Sequence, residues 1–138
     1  MSEISPSGVS PNFYALNRTR QQYLATHLAI AQTHFSRLRG LLGVRESGFG
    51  QGHGLWLVPS HGIHTFGMRF PLDIVYLDQQ KVVVYLQQDV RPWRMAPVRR
   101  HAASVLELPR TTIQATGTSL GDEIEIAMDK TMAEKITT

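Results

Sequence analysis

The chain has 138 residues, 42% of them hydrophobic, which is enough for one domain with a sizeable core. It contains no cysteine, so disulfides, thiolate catalysis and cysteine-ligated zinc are excluded. The 14 Lys and Arg outweigh the 11 Asp and Glu by a net charge of +3, but they are mostly scattered along the sequence, which does not predict a specific nucleic-acid interface.

The two ends of the chain differ in composition from its middle. Residues 1–12 are rich in Ser, Gly and Pro and predict a flexible tail, and residues 131–138 predict a second one. We therefore expect a single domain over residues 13–130. No basic stretch is followed by an apolar segment of the signal-peptide type, and no apolar run approaches the roughly 18 residues of a membrane span. These features predict a cytoplasmic protein.

The first half of the domain predicts strands around one short helix. Residues 23–31 alternate after a turn near 17–21 and predict a long strand, although the Ala and Gln content of this stretch leaves a helix open. Residues 33–43 predict a short helix that Thr33 caps and Gly43 ends. A glycine-rich loop follows at 46–54, and then a strand at 55–59 that Pro59 ends.

The second half predicts further strands. Residues 71–89 form two apolar or alternating runs joined at 78–80, which predicts a β-hairpin. Strands are also expected at 105–109 and 123–128, separated by a connection with at most one helical turn. The fold class predicted from this order is mainly β: a small single-domain β-sandwich or barrel of about seven or eight short strands with one short helix.

Two acids lie within apolar strands. Asp73 interrupts the run PLDIVYLD and Glu107 the run VLELP. Burial of a carboxylate costs several kcal/mol unless it is paired or hydrogen-bonded, so each acid is expected to have a partner. The favoured interpretation is structural: Asp73 accepts backbone N–H groups from the glycine-rich loop or pairs with Arg69. The alternative is a binding or catalytic site.

The stretch SHGIHTFGMRF places two histidines three residues apart. Residues three apart on a strand face opposite sides, so His61 and His64 share an ion only if Gly62 forms a bulge. Asp73 or Glu107 would then complete the ligand set. This metal site is the minority interpretation, and no cofactor is predicted.

The segment VRPWRMAPVRRHAAS concentrates positive charge. It carries four arginines, and Trp93 is able to stack on a ring. The favoured interpretation is that Trp93 covers one end of the fold while Arg91, Arg94, Arg99 and Arg100 stay solvated. The alternative is that the loop binds a phosphate or another anion.

Seven motifs in order carry a family resemblance: RLRGLLG, GLWLVP, IHTFGMRFPLDIVYLD, VVVYL, PWR, VLELP and GDEIEI. From about residue 15 to 127 the chain resembles the DUF192 family, a domain of unknown function. The resemblance implies a compact β-rich fold but no established reaction. It also implies a signature centred on Ile63, His64, Thr65, Met68 and Asp73, with Glu107 in a later strand.

The sequence differs from this family at two points. Ser60 stands where similar members often have a cysteine, which removes any thiol role. Arg110 and Thr111 replace a more usual Ala-Gly pair after Pro109, and they predict an extra cation near the signature. Many relatives are exported or lipid-anchored, which the N-terminal sequence of this chain does not support.

Three functional hypotheses follow. The first is a non-catalytic domain whose polar pocket binds a small anionic ligand or a partner segment, with candidate residues His64, Thr65, Met68, Asp73, Arg94 and Glu107. The second is a hydrolase in which His64 acts as general base with Asp73 or Glu107. The third, an envelope-assembly accessory protein, rests on the family resemblance alone. The first two require the imidazole and the acids to meet in space.

Overall fold

The structure is a computed structural model that describes residues 12–31, 49–61, 70–91 and 97–130. The predicted tails and the predicted helix at 33–43 lie outside these residues. Within them the chain forms seven strands and one short helix. The strands are β1 (Phe13–Asn17), β2 (Gln22–Ala31), β3 (His53–Leu57), β4 (Leu72–Leu77), β5 (Val83–Val90), β6 (Ser104–Pro109) and β7 (Ile124–Met128), and the helix α1 is Thr112–Thr116.

All seven strands belong to one curled sheet in the order β5-β4-β6-β3-β2-β1-β7. Only β2 and β3 pair in parallel, and the other neighbours are antiparallel. The two edges meet at one corner, where Val82 bridges Glu123 and the Val83 amide donates to the Asp122 carbonyl at 2.9 Å. The mainly β prediction is confirmed, and of its two forms the structure is barrel-like.

The curl divides the hydrophobic side chains into two groups. The inner core draws from both edge strands and from α1, so it lies inside the curl; it includes Ala15, Leu24, Leu28, Val75, Leu77, Val83, Leu106, Leu108, Ile113 and Ile124. The outer cluster lies on the opposite face of β3, β4 and β6; it includes Leu55, Leu57, Phe70, Leu72, Ile74, Tyr76 and Val105. Because both faces of these strands are covered, β4 and β6 are buried at every position.

Strand β2 departs from the predicted strict alternation. Its register with β1 shifts twice, and the amides of Thr26 and His27 both donate to the Gly52 carbonyl at 2.8 Å. The extra residues bend the strand, as β-bulges do, so that Leu24 and Ala25 are both buried in the inner core. Gly52 has a φ of 90° and lies so near β2 that a Cβ there would be 3.0 Å from the Thr26 hydroxyl, which explains the glycine.

The β4–β5 hairpin was predicted correctly. Asp78 organises its turn, because its Oδ1 accepts hydrogen bonds from the amides of Gln80 and Val82 at 2.9 Å each. Lys81 takes a left-handed conformation with φ 60°, and its amide returns to the Asp78 carbonyl at 3.0 Å. Such a side-chain to backbone turn is a local property of aspartate, which is why the sequence reveals it.

No helix among the residues described is long and apolar enough to cross a membrane.

Candidate functional site

Asp73 is completely buried, and both of its carboxyl oxygens accept backbone hydrogen bonds. Oδ1 accepts from the Asp89 amide of β5 and Oδ2 from the Ile113 amide of α1, each at 2.9 Å. The first amides of a helix have no partner within the helix, so Asp73 supplies one from a neighbouring strand. The prediction that Asp73 accepts backbone N–H groups is confirmed, but the donors belong to β5 and α1 rather than to the glycine-rich loop.

Glu107 is almost as deeply buried, but one of its carboxyl oxygens has no such partner. Only 4% of its surface is exposed, and its Oε2 atom is buried with no hydrogen-bond partner among the residues that the structure describes. Its neighbours across the ladder are the apolar Leu55 and Ile74. Burial away from water raises the pKa of the Glu107 carboxyl from 4.5 to about 8. A pKa near 8 favours the protonated, uncharged carboxyl at pH 7.

The register of β4 and β6 separates these two acids. Asp73 pairs with Leu108, whereas Glu107 pairs with Ile74. Paired residues share a face, and the next residue along faces the other way, so Asp73 points to the inner core and Glu107 to the outer cluster. The prediction that both acids line one polar pocket is therefore wrong.

Four of the predicted site residues, His64, Thr65, Met68 and Arg94, lie outside the residues that the structure describes, as does Arg69. Their ligand-binding role stays a prediction, as does the pairing of His64 with either acid. The metal interpretation of His61 and His64 is untested for the same reason. Within the described ranges the His, Asp and Glu side chains form no group of three that would hold a metal ion.

A different set of polar residues does converge. His61 and the segment 99–101 line an open cleft of about 650 Å³, which faces the turn of the β4–β5 hairpin. We call it the basic cleft and define it by His61, Arg99, Arg100 and His101. Its volume falls in the range of small-molecule sites.

The segment 97–103 is fixed to the sheet at several points. The Tyr76 hydroxyl donates to the Pro97 carbonyl at 2.7 Å, and the Ala103 amide donates to the Leu77 carbonyl at 2.8 Å. The Arg99 amide donates to the His61 carbonyl at 3.0 Å, which ties the segment to the residues after β3. The backbone that carries the two arginines is thus held in place by protein contacts.

The Arg99 side chain lies over an aromatic platform. Its guanidinium carbon is 4.5 Å from the centroid of the Tyr85 ring, a cation–π contact. Tyr85 in turn packs edge-to-face on the fully buried Tyr76, with ring centroids 5.0 Å apart. Burial raises the pKa of the Tyr76 hydroxyl to about 12, with Tyr85 adding to the shift and Arg99 opposing it. Tyr76 therefore stays a neutral donor.

Two further groups define the electrostatics of the cleft. The His61 Nδ1 atom hydrogen-bonds to the Ala102 carbonyl, and since a carbonyl only accepts, Nδ1 carries the proton. In the neutral ring the other nitrogen, Nε2, is an acceptor, so it does not itself donate to an anion. Asp78 is the one acid among the described lining residues, and its Oδ1 is already engaged by two turn amides.

Sequence reasoning found part of this site. It identified Arg99 and Arg100 as a local concentration of charge but favoured a solvated role for them. It missed His101 as a lining residue, and it did not connect His61 with the arginines. Those two elements meet only through long-range contacts, such as the hydrogen bond between His61 and Ala102, 41 residues apart. No local pattern in the sequence signals such a contact.

Comparison with known proteins agrees with this fold. The family model DUF192, described as an uncharacterized ACR, matches residues 15–126. A UPF0127 protein of Thermococcus sibiricus is 30% identical over 115 residues, which cover 80% of this chain and 72% of that protein.

Two crystal structures share the fold at low sequence identity. A protein of unknown function from Novosphingobium aromaticivorans is 19% identical with a TM-score of 0.72, and the match covers 91% of this chain and 92% of that one. A protein from Sinorhizobium meliloti is 21% identical with a TM-score of 0.70, covering 83% and 92%. At these identities the likeness shows the fold alone.

Proposed function

Because this chain belongs to the DUF192 family, whose description assigns no activity, we propose a function from its geometry: a non-catalytic domain that binds a small anion in the basic cleft. The observation that carries the proposal is the convergence of two arginines and two histidines on one 650 Å³ cleft. The two arginines outnumber the one described acid of the lining, Asp78, and an excess of positive charge in a concave site raises the local concentration of anions.

The restraint on Arg99 supports a binding role for the cleft rather than a merely solvated cluster of cations. A solvated arginine loses side-chain entropy when it binds a ligand, whereas one already held in place loses less. Arg99 is restrained through its backbone by His61 and through its guanidinium by Tyr85. The one described acid of the wall, Asp78, has Oδ1 committed to the hairpin turn.

The non-catalytic part of the proposal is supported by the environment of the two buried acids. Asp73 has both oxygens engaged by backbone amides, so neither is free to take a proton from a substrate. Glu107 is 4% exposed. The hydrolase alternative would therefore have to use Glu107, whose raised pKa suits a proton donor, together with His64.

The proposed cleft suits two sources of the same chemistry: a free small anion, or the acidic side chain of a partner segment. We propose the free anion, because the cleft has the volume of a small-molecule site. An acidic hexapeptide that binds more than tenfold tighter than a free anion, at matched ionic strength, would assign the site to a partner segment instead.

Isothermal titration calorimetry with sulfate at constant ionic strength tests the proposal. We expect the wild-type chain to bind sulfate, and the Arg99→Ala variant to lose at least about tenfold in affinity, because charge-assisted hydrogen bonds are among the stronger ones. Arg18→Ala is the matched control, since Arg18 is an exposed cation in the β1–β2 turn, away from the cleft lining. Equal losses in both variants would indicate unspecific charge effects and contradict the proposal.

A further inference from the structure

The aromatic support of Arg99 bears on which anions the basic cleft accepts. Two kinds of cationic site bind anions: a point charge, which accepts any anion of suitable size, and a guanidinium fork, which prefers oxyanions with two oxygens in one plane. The orientation of the guanidinium decides which kind a given arginine forms.

Tyr85 restricts that orientation. The guanidinium carbon lies over the ring, 4.5 Å from its centroid, so the ring occupies one side of the guanidinium and restricts how it turns. The N–H groups of a guanidinium lie in its plane, so a ligand that uses two of them at once approaches along this plane, on the side that the ring leaves open.

The platform is itself held from the core. Tyr85 is half-buried, and it packs on the buried Tyr76 ring at 5.0 Å. The Tyr76 hydroxyl also donates to the Pro97 carbonyl, two residues before Arg99. The Tyr76 side chain therefore contacts both the Tyr85 ring and the backbone just before Arg99. These contacts hold the Arg99 guanidinium and the Tyr85 ring in place relative to each other.

We infer that Arg99 is the specificity-determining residue of the basic cleft: it binds forked oxyanions such as sulfate, phosphate esters and carboxylates in the guanidinium plane, and Tyr85 is its positioning residue. This inference rests on the proposed anion-binding function and adds the ligand class. A cleft that only supplied positive charge would take a halide as readily as an oxyanion of equal charge.

Titrations of the full-length protein followed by 1H–15N NMR test the inference, with acetate and bromide as two anions of equal charge. Four chains are compared: wild type, Arg99→Lys, Tyr85→Phe and Tyr85→Leu. Lysine keeps the charge but removes the fork, phenylalanine keeps the ring, and leucine removes the ring.

We expect wild type to bind acetate at least about fivefold more tightly than bromide, and Arg99→Lys to lose that preference while still binding bromide. Tyr85→Phe should match wild type, and Tyr85→Leu should lose most of the preference. If Tyr85→Leu lowers the melting temperature, Arg99→Lys still tests the inference, because it alters an exposed side chain.

The outcomes separate this inference from the proposed function. Wild type that binds neither anion, nor sulfate, would overturn both. Binding of acetate and bromide with equal affinity, or an unchanged preference in Arg99→Lys, would overturn the inference and leave the anion-binding function standing.

Discussion

A buried acid lies on each face of the sheet, and the two acids have different surroundings. Asp73 and Glu107 each interrupt an apolar strand, and each is almost completely excluded from water. On the inner face Asp73 joins β5 and α1 through two backbone hydrogen bonds. On the outer face Glu107 leaves Oε2 without a partner, and burial raises its pKa to about 8. A buried acid in an apolar strand thus joins neighbouring elements on one face of the sheet, whereas on the other face it is a buried group whose pKa is raised.

This difference teaches that a shared sequence pattern does not imply a shared site. The acids occupy neighbouring strands, yet a register offset of one residue places them on opposite faces. The difference between the two acids can be tested first by measuring the free energy of unfolding against pH. Substitutions then test it further, in order of decreasing expected effect.

The largest expected effect is the part of the pH dependence of stability that Glu107 contributes. Folding raises its pKa from 4.5 to about 8, so between these values the folded chain binds more protons than the unfolded chain. Its contribution to stability is therefore complete below pH 4.5 and falls as the pH rises towards 8, by at most about 1.4 kcal/mol per pH unit. Chemical denaturation at several pH values should show this slope in wild type and its loss in Glu107→Gln. An identical slope in both chains would contradict the assignment.

Asp73→Asn should lower the free energy of unfolding by about 3 kcal/mol, because the new amide places a donor against a buried backbone donor. The matched control is Asp89→Asn, which makes the same chemical change at a half-exposed carboxyl. Asparagine also tolerates the left-handed φ of 54° at that position. Urea denaturation of both variants measures the difference, and equal effects would show that the hydrogen bonds of Asp73 do not stabilise the fold.

Glu107→Met should raise the free energy of unfolding at pH 7 by about 1 kcal/mol, since it replaces an unpartnered polar atom with an apolar group of similar size. The direction of this change is opposite to that of Asp73→Asn. A thermal melt of Glu107→Met well below that of wild type would mean that the Glu107 carboxyl makes a stabilising contact after all.

The smallest effect is expected for an acid that is not buried. Asp89 forms an ion pair with Arg110 at 3.3 Å, and both side chains are about half exposed. Pairs of this kind contribute little, so Arg110→Ala should change stability by no more than about 0.5 kcal/mol. The comparison of melts with and without 0.5 M sodium chloride checks it, because a larger, salt-sensitive loss would place Arg110 in a stronger network.

Much of the fold was predictable because its signals are local. The apolar runs of β4 and β5, the aspartate at their turn and the proline that follows β3 each act within a few residues. The two register shifts of β2 were not predictable, because β2 bends where two of its amides meet the Gly52 carbonyl, which is distant in sequence and precedes β3. A sequence pattern shows that a residue is buried but not which neighbour it meets.

The site was predictable only in part for the same reason. The local sequence pattern identified Asp73 and Glu107 as buried acids and Arg99 and Arg100 as part of a charged segment. Their spatial relation depends on strand order and register, which placed the acids apart and brought His61 to the arginines. Roles that depend on long-range contacts become visible only in three dimensions.

The most direct test of the account is a map of where sulfate binds, obtained from 1H–15N NMR shifts of the wild-type chain at constant ionic strength. We predict the largest shifts at His61 and at residues 99–103, with the amides around Asp73 and Glu107 unchanged. Saturable shifts centred on either acid, with the basic cleft unaffected, would contradict it.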